Sequence, residues 1–309
     1  MQTFDLCFAW NWQYDQDFVR QVVQVCQAHG ISLLEVTPTN LDETLQLLAD
    51  QSIQFKAFFD RASDTDQRFF QLIEWACQEA SLFINPYWSA RRAWDKAAMH
   101  KELVRSGLET PYTLILPPYL ESPTLSPPGL ELMEGCFAIK PAHGGGGKGV
   151  ITRATCWEQV LSARQEFPTD QYLLQDQVDP ILFDGRPAWF RIIYCAEKIY
   201  PCWWDPCTHI YTPLTDFQIS HYRLDPLLDI STAIAGICRL ELFSTEIAYT
   251  VSGQFLVVDY VNDPIDLRCQ STTPEGVPDH IVAAIACELV SYVESQSHVV
   301  LSSYVDHVS

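Results

Sequence analysis

Residues 138–150 read AIKPAHGGGGKGV, four consecutive glycines held between Lys140 and Lys148. No helix or sheet interior accommodates such a run, because each glycine loses more backbone entropy on ordering than any other residue. The run is a loop, and its flanks say which kind. Before it stands CFAIK and after it GVITRA, both short and rich in strand formers. A phosphate-binding P-loop needs Ser or Thr directly after its lysine to hold magnesium, whereas Gly149 follows Lys148. A dinucleotide fingerprint continues into a helix whose N-terminus takes the pyrophosphate, whereas a strand follows here. The glycines therefore form the tip of a strand–loop–strand flap, where backbone N–H groups approach an anion without side-chain obstruction. Composition alone suits a flexible hairpin without a ligand equally well.

Two lysines around that tip stand out in an acidic chain. The 309 residues carry 19 basic against 39 acidic side chains, a formal charge of −20. That balance argues against a surface that tracks nucleic-acid phosphates and against docking on anionic membranes. The lysine pair is expected to serve a small anion instead. Apolar and charged fractions of 48% and 19% are those of an ordinary globular protein, and the length suits about two or three subdomains. Eleven cysteines, an odd number without CxxC pairs, lie mostly in apolar segments, where a thiol acts as a small hydrophobe. The expectation is a reducing cytoplasm, with no signal segment ahead of MQTFDLCFAW and no apolar run long enough to span a bilayer. Cys202, Cys207 and His209 offer three ligands at irregular spacing, which argues against zinc.

The first ninety residues alternate strand and helix patterns. TFDLCFAW, ISLLEV and IQFKAFF read as buried strands. DQDFVRQVVQVCQAHG reads as a helix ending at Gly30, NLDETLQLLAD as a second, and DTDQRFFQLIEWACQEA as a third capped by Asp64. This order implies a parallel sheet with right-handed crossovers. One helix is expected from Ser89 to Gly107, followed by LPPYLESPTLSPPG, whose five prolines predict an extended surface loop. Beyond the flap come a helix opened by a Thr155/Glu158 capping box, strands QYLLQDQV, AWFRIIYCA and KIYPCWW, and a helix over roughly 225–239. Strands FSTEIAYTV and QFLVVDYV and an amphipathic helix from Asp279 close the chain.

A two-residue turn at Ser252-Gly253 would pair the last two strands so that Glu246 lies opposite Asp259. Side chains so paired stand about 4.5–5.5 Å apart at Cβ, and two carboxylates at that distance repel. A bound cation removes the conflict, and oxygen ligands of this kind suit magnesium carried with phosphates. Asn262 adds a neutral oxygen just beyond. An exposed hairpin face, or a different register, would remove the argument.

Taken in order, INPYWSARRAWDKAAMHKELVRSGLETPYT, FAIKPAHGGGGKGV, YLLQDQVDP and STEIAYTVSGQFLVVDYVND resemble the ATP-grasp superfamily. The likeness runs from about residue 83 onward, and the preceding pattern looks like that family's N-terminal domain. The resemblance implies an α/β chain (α+β overall), an ATP-grasp fold preceded by a Rossmann-like domain. Its divisions would be 1–88, a central subdomain with the flap at 89–174, and a C-terminal subdomain with the metal ligands at 175–309. It implies ATP between two antiparallel sheets, with Lys96 and Lys140 on the phosphates. His143, Gly144, Gly145, Gly146, Gly147, Lys148 and Gly149 would close over the β and γ phosphates. Gln175 or Asp176 would stand near the adenine amino group and Gln177 and Val178 on the ring edge, with Asp184 or Asp179 on the ribose. Glu246, Asp259 and Asn262 would hold Mg2+, two ions in the family pattern, with Mn2+ as an acceptable substitute. Arg191 and Arg268 are candidates for the transferred phosphate or a substrate carboxylate.

Two departures bear on this. Asp259-x-x-Asn262 is one residue longer than the family's usual Glu-x-Asn, so Asp263 competes with Asn262. Ser244 stands where many members carry arginine, leaving Arg239 or Arg268 to supply the charge, or a substrate that does not need it. The implied activity is a ligase joining a carboxylate to an amine or similar nucleophile through an acyl phosphate, with release of ADP and phosphate. A small-molecule kinase is the alternative, ahead of a silent ATP-binding regulator. The partner would be a small molecule or peptide bearing a carboxylate, and a homodimer is a further expectation. In AWNWQYD and DRASD, Trp12 is a candidate pocket wall, and Arg61 and Ser63 candidate anion contacts. Simple packing, or a local Asp/Arg pair, accounts for these residues as well.

Overall fold

The computed structural model describes residues 1–125, 129, 133 and 135–305, the side chains beyond 296 excepted. The N-terminal alternation builds β1 (Gln2–Trp10), α1 (Gln16–His29), β2 (Leu33–Val36), α2 (Leu41–Ala49), β3 (Ile53–Arg61), α3 (Phe70–Glu79) and β4 (Leu82–Ile84). The four strands pair in parallel in the order β2-β1-β3-β4. This is the Rossmann-like arrangement expected of near-continuous apolar strands. Gly30 ends α1 in the left-handed conformation (φ 70°), its N–H capping the Cys26 and Gln27 carbonyls. The third helix differs from expectation at its start. Asp66, not Asp64, accepts the capping N–H of Arg68 and opens a 3-10 turn that leads into α3.

The helix expected over 89–107 is two helices, α4 (Tyr87–Trp94) and α5 (Lys96–Arg105). Asp95 separates them: its backbone is extended (φ −80°, ψ 97°) and its carboxylate caps Ala97 and Ala98 N–H. A capping residue inside a continuous helical period was the overlooked signal. The break points Lys96, the first residue of α5, toward the flap.

A four-stranded antiparallel sheet follows, built from β5 (Thr113–Leu116), β6 (Phe137–Pro141), β7 (Ile151–Ala154) and β8 (Tyr172–Asp176) in the order β5-β8-β6-β7. The glycine loop joins β6 to β7, as the strand–loop–strand reading requires. Helix α6 (Trp157–Glu166) is capped one residue later than expected, with Gln159 Oε1 accepting from Thr155 and Cys156 N–H at 2.8 and 3.3 Å. Part of the proline-rich segment (126–128) lies outside the described residues.

A small hairpin, β9 (Leu182–Phe183) and β10 (Arg186–Pro187), leads to a five-stranded antiparallel sheet. It comprises β11 (Trp189–Cys195), β12 (Lys198–Trp204), β13 (Tyr211–Pro213), β14 (Leu242–Tyr249) and β15 (Phe255–Asn262), in the order β13-β12-β11-β14-β15. Helices α7 (Asp216–Tyr222) and α8 (Pro226–Cys238) connect β13 to β14. The last helix, α9 (Asp279–Val305), buries Ile281, Ile285, Leu289 and Val293 in one core with Leu6 of β1, Phe18 of α1, and Ile193 and Leu242 of the large sheet.

The β14–β15 hairpin brings Glu246 opposite Asp259, but by a route other than the expected one. The loop holds three residues, with Thr250 N–H on the Gln254 carbonyl and Gly253 at φ 78°. That turn alone would pair Glu246 with Val258. Irregular pairing between Ile247↔Val257 and Glu246↔Asp259 restores the carboxylate pair. The extra residue is a bulge, which period-two counting cannot foresee.

Candidate active site

Between the four- and five-stranded antiparallel sheets lies a cleft of about 740 Å³. Lys96, Lys140, Gly144–Lys148, Gln175, Asp176, Gln177 and Val178 line it from the central-sheet side, and Arg191, Glu246, Asp259 and Asn262 from the large sheet. Its outer end is bounded by Trp204, His209, Tyr211, Asp266 and Arg268. Residues as far apart in sequence as Lys96 and Arg268 meet there because β6, β8, β11, β14 and β15 all present one face to it.

Lys140 Nζ donates to Gln175 Oε1 at 2.7 Å and the Val258 carbonyl at 3.3 Å. Burial pushes this ammonium down from its ordinary value, although Asp259 and Glu246 pull the other way. Lys96 reaches the flap itself, its Nζ 2.5 Å from the Gly144 carbonyl. The flap is built of successive turns, Lys148 N–H to Gly145 O and Val150 N–H to Gly147 O, with Gly144, Gly146, Gly147 and Gly149 all at positive φ. His143 anchors its start from outside the cleft: its backbone N–H and ring Nδ1 both meet the Asp170 carboxylate, at 2.8 and 2.9 Å. That hydrogen bond holds the His143 imidazole above its ordinary value. Lys148 lies over the Phe167 ring at 5.7 Å.

Opposite the lysines, Glu246 accepts from Arg191 Nη1 and Trp189 Nε1, each at 3.1 Å. Trp189 and Arg191 share a face of β11, two residues apart. Arg191 Nε reaches Ser244 Oγ at 3.2 Å, and its guanidinium lies 4.8 Å from the Trp204 ring. Arg191 on the neighbouring strand is the arginine in contact with Ser244, while Arg239 is the left-handed C-cap of α8. Burial raises the Glu246 carboxyl. Burial also acts on Asp259, but Lys140, Lys96 and Arg191 outweigh it and hold that carboxyl below its ordinary value.

Asn262 Nδ2 donates to Asp259 Oδ2 at 3.0 Å, so the amide stands with the carboxylate pair. Asp263 accepts instead from Asn85 Nδ2 at 2.7 Å and Trp94 Nε1 at 3.3 Å. It does not line the cleft, and its competition with Asn262 is removed. Two carboxylates and an amide form an all-oxygen donor set suited to a hard divalent cation. Among the described residues no three His, Cys, Asp or Glu side chains gather as a metal site, so further ligands would come from phosphate and water.

Several other sequence candidates lie elsewhere. The Gln175 side chain is 2% exposed with both amide ends occupied, by Lys140 and by the Tyr260 hydroxyl at 3.2 Å. Asp184 sits in the β9–β10 turn at φ 50° and accepts from the Tyr222 hydroxyl. Arg61 is buried, giving Nε and Nη2 to Asp15 at 2.9 and 2.7 Å and Nη2 also to the Ile265 carbonyl at 2.7 Å. Ser63 donates to Asp60, beside a small cavity of about 10 Å³. Trp12 and Tyr14 stand 5.6 and 5.5 Å from the Arg268 guanidinium, which is paired with Asp266 at 2.6 Å. Trp189 and Tyr260 escaped the sequence reading. Their positions two before Arg191 and one after Asp259 are visible only once strand faces are known.

No family model and no curated protein matches the sequence. Solved structures do match. An ATP-grasp RimK domain protein from Sphaerobacter thermophilus aligns over 93% of this chain and 99% of its own, with TM-score 0.63 and 16% identity. The ATP-grasp ligase PsnB, complexed with precursor peptide PsnA2 and AMPPNP, aligns over 95% and 98%, with TM-score 0.63 and 12% identity. The chain has the ATP-grasp fold. D-alanine–D-alanine ligase from Bacillus anthracis, complexed with ATP, aligns over 98% of this chain and 100% of its own, with TM-score 0.66 and 10% identity. In this fold the cleft described above lies between the central and large sheets, with the glycine flap along one side. All eleven cysteines, each a described residue, are free thiols, and no helix among the described residues is long and apolar enough to cross a membrane.

Proposed function

We propose that the protein is an ATP-dependent ligase that joins a carboxylate to an amine or similar nucleophile through an acyl phosphate, releasing ADP and phosphate. The observation that carries this reading is one cleft holding Lys96, Lys140 and the glycine flap across from the Glu246–Asp259–Asn262 oxygen set. Lys96 and Lys140 bind the phosphates, and the flap's backbone N–H groups cover them and exclude water. Gln177 and Val178, after β8, border the base, while the buried Gln175 amide serves Lys140. Glu246, Asp259 and Asn262 hold Mg2+, which supplies charge neutralisation at the phosphates. Arg191, fixed between Glu246, Ser244 and the Trp204 ring, stabilises the transferred phosphoryl group. Arg268, at the outer end beside Trp12 and Tyr14, takes the substrate carboxylate. The reaction needs positioning and charge, with no covalent protein nucleophile.

The ligases among the structural neighbours support the reaction class, and the peptide complex of PsnB makes a peptide substrate as admissible as a small molecule. The test is mass spectrometry of a metabolite and peptide extract incubated with the protein and Mg-ATP, beside Lys140→Ala and Asp259→Asn controls. The expected product is two components joined with loss of water, absent from both controls. A component heavier by one phosphoryl group would replace the ligase by a kinase. Turnover retained in Asp259→Asn would remove the metal assignment.

A further inference from the structure

We infer that Tyr260 and His100 are positioning residues for Lys140, acting through the Gln175 amide; the inference rests on the nucleotide reading of the cleft proposed above. Four side chains from four elements form one hydrogen-bonded row. Lys140 Nζ on β6 donates to Gln175 Oε1 on β8 at 2.7 Å. Gln175 Nε2 donates to the Tyr260 hydroxyl on β15 at 3.2 Å. That hydroxyl lies 2.8 Å from His100 Nδ1 on α5.

The chemistry of the ends sets the direction of the row. An ammonium only donates, so the Gln175 oxygen must face Lys140 and its NH2 must face Tyr260. The tyrosyl oxygen therefore accepts, and its own proton is free for His100 Nδ1. Thr113 pairs with Gln175 across β5–β8, its hydroxyl proton lying on the Pro111 carbonyl at 2.8 Å. Gln175 and Tyr260 are each 2% exposed, so a flipped amide would leave buried groups unpaired.

The row answers a specific need. Lys140 stands in the fields of both Asp259 and Glu246, and an unrestrained ammonium would pair with one of them. Gln175 holds it away from the carboxylates that the metal requires. Helix α5 supplies the outer end of this row and the flap contact together. Lys96 and His100, four residues apart, share one helix face, and Lys96 Nζ meets the Gly144 carbonyl at 2.5 Å.

Calorimetry of a non-hydrolysable ATP analogue with Mg2+, on the full chain, tests this. Tyr260→Phe is expected to weaken binding about 10-fold and His100→Leu about 3-fold, as for a buried amide losing a partner. His100→Asn, whose Oδ1 replaces the Nδ1 acceptor, should stay within about 2-fold. In a Lys140→Ala background the Tyr260 and His100 changes should each alter affinity by less than about 2-fold, because they act through the missing ammonium. Equal losses in both backgrounds would mark a merely structural role and overturn the inference, as would full affinity in folded Tyr260→Phe and His100→Leu. Failure of the wild-type protein to bind the analogue, or Lys140→Ala binding as tightly as wild type, would overturn the nucleotide reading first and this inference with it.

Discussion

At the scale of single residues, the flap's anchor is an ion pair that titrates. His143 and Asp170 shift in opposite directions, and their mutual hydrogen bond raises the imidazole from 6.5. Burial is the largest single influence on the carboxyl, but the side-chain and backbone hydrogen bonds and the charge of His143 together outweigh it and lower the carboxyl from 3.8. The sign follows from linkage. The stability from His143 is fully present below its unfolded value and is lost as pH rises through the higher folded one. The stability from Asp170 is present above its unfolded value and is lost as pH falls through the lower folded one. The anchor is therefore strongest between those limits. NMR titration of the His143 ring should give a midpoint above 6.5, falling back toward that value in Asp170→Asn; an unchanged midpoint would show that the pair does not form in solution. Lys140, Glu246, Asp259 and the glycines were legible as candidates because charge and backbone freedom are properties of residue type. The Asp170 partner, twenty-seven positions from His143, carried no sequence signal.

At the scale of elements, the flap shows which glycines serve shape. A Cβ on Gly149 would stand 2.6 Å from Phe167 Cε2, and its φ is +72°. Gly145 has neither constraint, with no atom within 4 Å of an added Cβ. Gly149→Ala should destabilise the protein by about 2 kcal/mol through left-handed strain and overpacking, whereas Gly145→Ala should stay within about 0.5 kcal/mol. Urea unfolding of the two variants decides it, and equal midpoints would mean that the flap end does not pack as described. Strand and helix types followed from apolar period in the longer segments, while the short elements β4, β5, β9, β10, β13 and α7 went unread. Within the segments that were read, the errors sit at junctions: Asp95 splitting one helical period, Asp66 and Gln159 capping later than expected, and a bulge near Val258 repairing a misjudged turn. Each is a local hydrogen-bond choice that several neighbouring residues could have made equally well.

At the scale of the whole molecule, Arg61 ties the N-terminal sheet to the segment after β15. It is 4% exposed, bonds Asp15, itself 1% exposed, and reaches the Ile265 carbonyl. Removing one partner of a buried pair strands the other charge, so Arg61→Met should cost about 3–5 kcal/mol, and adding Asp15→Leu should recover much of it. Urea unfolding of both proteins checks this; a single variant as stable as wild type would show that the pair is not buried in solution. An arginine between two acidic residues looked like an anion contact because sequence reports charge and not the direction of a side chain. The sequence by itself determined the parallel strand–helix layer, the strand–loop–strand placing of the glycines and the opposition of Glu246 to Asp259, while the two antiparallel sheets were implied by the family resemblance. Periodicity and residue type are local, and both survive reading along one dimension. Only the tertiary structure decided that Arg191 lies against Ser244, that Asn262 and not Asp263 lines the cleft, and that Gln175 accepts from Lys140. Each depends on which faces of distant strands meet, and burial then selects among partners that the chain order leaves equivalent.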